Sequence, residues 1–295
     1  MISLPKAIVV GATGYIGQST LSSLVSRHGD KLQIFAGSRD PSKVSMEGVE
    51  SIKADMGDKD QLTNVLKGFD HVFLVIPGHH ERTKLGLNGL EAAKAAGVKH
   101  VLLLSVLTAE TDTIFGRQFK PLEDRAKEIG IGYTIIRLPL FMDNYYAHAQ
   151  SIIDQDTFYV PHAADKKHTP VSVADAGKAA ADILASPEKH TGQTYKLVSP
   201  SFSMNDVAAA FSWARRFPVK MTQVPYEAAK KAFMGMGFPE WQVDGIMELY
   251  KLVDEESSVT NEKKTGDIEH ITGEKPMTID QWVNMNKAGF GVMEC

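Results

Sequence analysis

Short apolar runs, each closed by polar or turn-forming residues, recur through the first half of the chain and alternate with stretches of helical periodicity. The first run, Ala7-Ile8-Val9-Val10, leads into a glycine-rich turn over 11–17 and an amphipathic stretch over 15–25. Further strands are predicted at 32–36, 49–54, 70–76, 98–105 and 133–138. Helices are predicted at 59–66 and 81–96; the latter has an apolar face of Leu85, Leu87, Leu90, Ala93 and Ala96, with Gly97 placed to stop it. Strands alternating with helices imply right-handed parallel crossovers, hence an α/β doubly wound parallel sheet with ligand outside the carboxyl ends of its strands.

Past Pro139 the alternation loosens. Helices are predicted over 141–153 and 173–185, and the segments 193–198, 204–214, 219–224 and 225–234 follow in mixed order. Residues 171–173 are expected to return the chain to the main sheet, and the polar stretch 255–273 to form an exposed excursion before a last helix over 279–287. The expected division is a nucleotide-binding domain over 1–140, with a returning segment near 169–185, and a smaller mixed α/β substrate lobe over 141–295.

Composition narrows the function classes. With 295 residues and 43% apolar content the chain supports an extensive core. A formal charge of −4 without a basic run argues against a nucleic-acid or anionic-membrane partner. No apolar stretch is long enough to span a bilayer and no signal peptide is evident, so a cytoplasmic location is expected. The single cysteine, Cys295, offers no disulfide framework or thiolate metal site.

The turn carries the chemistry. Gly11, Gly14 and Gly17, with Thr13, Tyr15 and Ile16 among them, stand where a chain must turn sharply, admit a pyrophosphate against bare backbone and pack a helix on a strand. After the second strand, Gly37 and Ser38 occupy the position where a carboxylate would bind a ribose hydroxyl, while Ser38, Arg39 and Lys43 suit a 2′-phosphate, which favours NADP(H). Asp55 is either an acceptor for the adenine amino group or a turn former. His79, His80 and Glu81 are adjacent, but neighbouring residues at a helix start are expected to face different ways, so no metal is predicted.

The chain resembles the NmrA-like group of atypical short-chain dehydrogenase/reductases. The resemblance rests on the 11–17 turn, Ser-Arg-Asp-Pro-Ser-Lys at 38–43, Ala-Asp at 54–55, Tyr-Thr-Ile-Ile-Arg-Leu-Pro at 133–139 followed by Phe141-Met142-Asp143-Asn144, and the segment 170–177. It implies a Rossmann-type fold preferring NADP(H), with the loop of Ile76 and Pro77 beside the cofactor. Lys120 matches the family lysine, Ser105 a serine able to polarise an acceptor oxygen or to satisfy backbone, and Phe141 and Asn144 a contact with nicotinamide or substrate. Short-chain reductases usually carry a tyrosine four residues before that lysine; here it is Gly116. The Tyr226-x-x-x-Lys230 spacing lies too far along the chain to replace it. Aromatics and methionines at 141–146, 158–159 and 233–238 suit either a flat apolar substrate or a core. The resemblance implies an NADPH-dependent oxidoreductase passing hydride to an apolar conjugated acceptor such as a quinone; the alternative is a non-catalytic NADP(H) sensor acting through a protein partner.

Overall fold

The computed structural model describes residues 4–262 and 266–292; Cys295 lies outside them. In chain order the elements are β1 (Lys6–Val10), α1 (Tyr15–His28), β2 (Gln33–Ser38), β3 (Val49–Lys53), α2 (Lys59–Leu66), β4 (His71–Leu74), α3 (Arg82–Ala96), β5 (His100–Val106), α4 (Ile114–Glu128), β6 (Gly132–Leu138), α5 (Ala149–Gln155), β7 (Thr157–Val160), α6 (Val173–Ala185), β8 (Gln193–Lys196), α7 (Met204–Arg215), β9 (Lys220–Gln223), α8 (Tyr226–Gly235), α9 (Glu240–Asp254), α10 (Gly266–Thr272) and α11 (Ile279–Asn286). Two compact units result.

The first unit comprises Met1–Leu138, Val173–Leu197 and Asp267–Glu274. Its seven strands run in the order β3-β2-β1-β4-β5-β6-β8, every pairing parallel. Because both faces of such a sheet are covered, the central strands are continuous apolar runs: Ala7, Ile8, Val9 and Val10 in β1, and Val72, Phe73 and Leu74 in β4, are all buried. Strand order reverses at β1, whose neighbours are β2 and β4. That switch opens a crevice at the carboxyl ends of β1 and β4. Helices α1 and α6 cross so closely that a Cβ on Gly177 would lie 2.7 Å from the Ser19 carbonyl carbon, and Ser19 Oγ donates to the Val173 carbonyl (3.0 Å).

The second unit comprises Pro139–Ser172, Val198–Gly266 and Lys275–Cys295. It holds the two-stranded parallel sheet β7-β9 and a core in which Met142, Ile152, Phe158, Phe211, Trp282 and Phe290 are buried. A smaller cluster of Ala229, Val243 and Met247 joins α8 to α9.

Three expectations are corrected. Residues 171–173 do not rejoin the main sheet: Val171 makes an isolated bridge with Phe141, Val173 opens α6, and the returning strand is β8. The stretch 255–273 is not simply an exposed excursion, since Ile268 of α10 is 2% exposed and the Asp267 carboxylate accepts from the Lys196 amide (2.7 Å). The helix predicted over 141–153 divides into a 3₁₀ segment, Met142–His148, and α5, because burial of Met142 and Tyr145 follows a three-residue repeat. Elements α4, α9 and β7 were not foreseen. Among the described residues, no helix is long and apolar enough to cross a membrane.

Several imidazoles are wholly or partly buried. Burial lowers the pKa of His100 to about 4, of His148 to about 4 and of His168 to about 3. Unfolded imidazoles titrate near pH 6.5, so the stabilisation is complete above that pH. It is lost as pH falls toward 4, where the unfolded chain binds the extra protons. Urea denaturation is expected to show a loss of about 2–3 kcal/mol per buried imidazole between pH 7 and about 4.5. A His100→Gln variant should lose about one such increment less over the same interval.

Candidate active site

The crevice at the sheet's switch point is built on backbone. Gly11 adopts φ +92°, and its amide and that of Ala12 both donate to the Gly37 carbonyl (3.0 and 3.1 Å), which pins the turn to the end of β2. A Cβ at Gly11 would lie 2.3 Å from the Val75 carbonyl oxygen, and one at Gly17 would lie 2.5 Å from the Gly11 carbonyl. At Gly14 the nearest atom would be 3.8 Å away. Gly11 and Gly17 are therefore fixed by packing, whereas Gly14 leaves its backbone bare toward the outside. Gly14 caps α1 without any side-chain bond, and the first turn carries no acidic residue. The opening N–H groups of α1 thus remain available to an anion. Thr13 and Tyr15 are exposed, and Ile16 is buried, so Ile16 can contribute only its amide.

Ser38, at the end of β2, is 5% exposed, and among the described residues its hydroxyl has no hydrogen-bond partner. Beside it Arg39 and Lys43 are exposed, whereas the Asp40 carboxylate is engaged by the Ser42 hydroxyl (2.6 Å) and is held below its usual pKa by that bond. An orphaned buried hydroxyl, two cations, a bare glycine cradle and an uncapped helix start fit a dinucleotide bearing an extra phosphate. Asp55 accepts from the Gly57 amide (2.8 Å), so part of its carboxylate shapes a turn.

On the opposite side of the switch, Ile76 is buried in the core and Pro77 is exposed. His79 and His80 do not face different ways as expected: their ring centres are 4.2 Å apart, and with Glu81 they bring ligand atoms within 4.8 Å of one another. His79 Nδ1, however, accepts from the Glu81 amide (3.1 Å), and Glu81 bonds Lys84 (3.2 Å).

Strands β5 and β6 end at a buried charge network. Glu123 of α4, fully buried, accepts from Ser105 Oγ (2.6 Å) and from Arg137 Nε and Nη2 (2.8 and 2.6 Å); Arg137 Nη2 also reaches Glu110 (2.8 Å). Both carboxylates hold the Arg137 pKa above its usual value, and Arg137 holds that of Glu110 below. Ser105 is 0% exposed and its one proton is donated to Glu123, so it braces the strand end instead of offering that proton to a substrate. Sequence reasoning missed Glu123 and Glu110; a charged Arg137 inside the apolar run of β6 was the available signal.

Next to this network lies a cavity of about 340 Å³ lined by Ala109, Glu110, Thr111, Gly116, Arg117, Lys120 and Pro121, among others. Lys120 bonds the Asp124 carboxylate one turn on (2.6 Å to Oδ2), which raises its pKa. A Cβ on Gly116 would lie 2.2 Å from the Thr111 carbonyl and 2.4 Å from the Thr108 carbonyl. The residue four before Lys120 is thus glycine because no side chain fits there. Tyr226 and Lys230 do not form an alternative pair: Tyr226 donates to Asp254 (2.6 Å), and Lys230 bonds Asp244 (2.7 Å) and Glu240 (3.1 Å).

Within the second unit, Phe141 is half-buried and bridges to Val171, and Asn144 is exposed. Met142, Tyr145 and Phe158 belong to that unit's core, which removes them from any substrate wall. Tyr146 stacks on Phe290 and donates to Asn286 (2.7 Å), while Met234, Met236 and Phe238 are exposed.

A seven-stranded parallel sheet with a glycine cradle at its switch point defines a Rossmann-type protein. The sequence pattern of the NmrA-like family matches residues 5–283, and the chain belongs to that family. It is 30% identical over 292 residues to an NAD(P)H azoreductase of Xenophilus azovorans, covering 96% of this chain and 99% of the relative. It is 28% identical to quinone oxidoreductase 2 of Escherichia coli, covering 81% and 85%. The crystal structure of the E. coli NADPH-dependent quinone oxidoreductase complexed with NADPH superposes with a TM-score of 0.81 at 25% identity, covering 95% of this chain and 99% of that one.

Replacing Gly116 by tyrosine recreates the phenol-to-lysine spacing of other short-chain reductases. Because its Cβ meets backbone carbonyls, the variant is expected to lose about 2 kcal/mol or more of stability in urea and to gain no carbonyl reductase activity.

Proposed function

We propose that the protein is an NADPH-dependent oxidoreductase that delivers hydride to an apolar conjugated acceptor, a quinone or an azo compound. The observation that carries this reading is the cradle of Gly11, Gly14 and Gly17 combined with the orphaned Ser38 hydroxyl beside Arg39 and Lys43. Full-length relatives named as azoreductase and quinone oxidoreductase support a reductase in preference to a sensor acting through a protein partner.

The bound coenzyme supplies the hydride. The backbone of the 11–17 turn, with Thr13 and the amides of Tyr15 and Ile16, holds its pyrophosphate, and Ser38, Arg39 and Lys43 hold its 2′-phosphate. Asp55 serves the adenine, and Ile76 and Pro77 line the loop alongside. Lys120 is a fixed positive charge for the ribose and for negative charge developing on the acceptor oxygen. With no phenol at position 116, protonation falls to water. That suits a quinone, whose reduced oxygens are delocalised and need no proton delivered in step with hydride.

In NADPH titrations followed by coenzyme fluorescence, Arg39→Ala is expected to weaken NADPH more than NADH, by about 1.5–3 kcal/mol, through loss of a charge-assisted contact. Equal weakening of both would contradict the 2′-phosphate assignment. The wild-type protein should oxidise NADPH with quinones or azo dyes and leave simple ketones untouched. Absence of turnover across that whole panel would overturn the reductase reading.

A further inference from the structure

Arg82, the first residue of α3, is a buried cation, 8% exposed. Its Nε donates to the Pro77 carbonyl (3.1 Å) and its Nη1 to the Gln118 side-chain oxygen (3.1 Å). Its guanidinium carbon lies 5.5 and 4.9 Å from the ring centres of Phe115 and Phe119. The neighbouring Thr83 hydroxyl donates to the Gln118 carbonyl (2.9 Å), and a Cβ on Gly86 would stand 2.6 Å from Leu122. Helices α3 and α4 are therefore in close contact along this edge. Burial lowers the Arg82 pKa only to about 10, so the side chain stays charged at neutral pH.

The groups gripped by Arg82 belong to two separate parts of the site. Pro77 is in the loop after β4. Phe115, Gln118 and Phe119 alternate along α4 with Gly116, Arg117 and Lys120, which line the 340 Å³ cavity. We propose that Arg82 is a positioning residue that clamps the loop carbonyl at Pro77 to α4, fixing the loop relative to Lys120 on the nicotinamide side of the coenzyme site. This rests on the coenzyme reading above. Only a guanidinium does all of it at once: its planar fork serves two acceptors in different directions while its face lies on aromatic rings. A lysine ammonium in the same place keeps the charge and can donate, but it has no planar fork to reach both acceptors while lying flat on the rings.

The test uses the full chain with Arg82→Met and Arg82→Lys. Hydrogen exchange of the amides at 78–81, read without coenzyme, is expected to accelerate about tenfold or more in Arg82→Met through loss of hydrogen bonds from a charged donor, with the 11–17 turn unchanged. NADPH should bind about tenfold more weakly, while adenosine 2′,5′-bisphosphate, which occupies only the adenosine half, should keep its affinity within about twofold. Arg82→Lys is expected to restore only part of either loss, and it carries the same comparison should Arg82→Met fail to fold. Unchanged exchange at 78–81, or equal weakening of both ligands, would overturn the clamp. Failure of the wild type to bind NADPH overturns the coenzyme reading instead, and is told apart because the exchange comparison needs no ligand.

Discussion

Three pieces of backbone converge at the end of β1 with no space for a side chain between them. The Gly11 α-carbon faces the Val75 carbonyl from β4's side, and Gly17, at the start of α1, sits against Gly11 and Ala12. This approach sets the entry angle of α1, and α1 in turn packs on α6 through the gap left by Gly177. A single methyl group at either glycine would force the helix off the sheet. The same closeness brings unbonded helix N–H groups to the switch point, so the packing constraint and the anion site are one feature seen from its two sides.

Interior charge plays a second organising part. Glu123 and Arg137 sit in a region that would otherwise be apolar, and removing water from both ions is costly. The cost is offset by geometry: two bonds from Arg137, one from Ser105 and a further carboxylate at Glu110. The network joins β5, β6 and α4 at the rim of the cavity. It engages the Ser105 proton and leaves Lys120 on the outer face of α4, paired with Asp124. The wall of the cavity thus carries a mixed set of charges, and no acidic hydroxyl from a phenol projects from position 116.

What could be read in the sequence was local or repetitive. The central strands announce themselves because a strand buried on both faces is an unbroken apolar run, as in Ile8-Val9-Val10 or Val72-Phe73-Leu74. The glycine turn is legible for the same reason: its residues are neighbours in the chain and its function is carried by backbone. The place of β8 in the main sheet is not: the segment 193–198 stands out, but β8 is an edge strand with Gln193 and Thr194 exposed, and nothing local marks which sheet it joins. Helix α4 is masked by Gly116 and Pro121, each of which argues against a helix on propensity although Phe115, Phe119, Leu122 and Ala126 keep one face buried. Contacts between residues far apart in sequence, such as Ser105 with Glu123 or Arg82 with Gln118, have no local signature. The reason for glycine at 116 lies in two carbonyls that only the folded chain brings near.

The path of the chain through its two units has a consequence for biosynthesis. The unit bearing the glycine cradle takes its last piece from Asp267–Glu274, where Glu274 bonds Arg27 of α1 and Lys178 of α6, and Asp267 secures the end of β8. A ribosome making this protein therefore cannot release a finished nucleotide unit and then append the other. The intervening segments must wait, partly unprotected, until Asp267–Glu274 has been made.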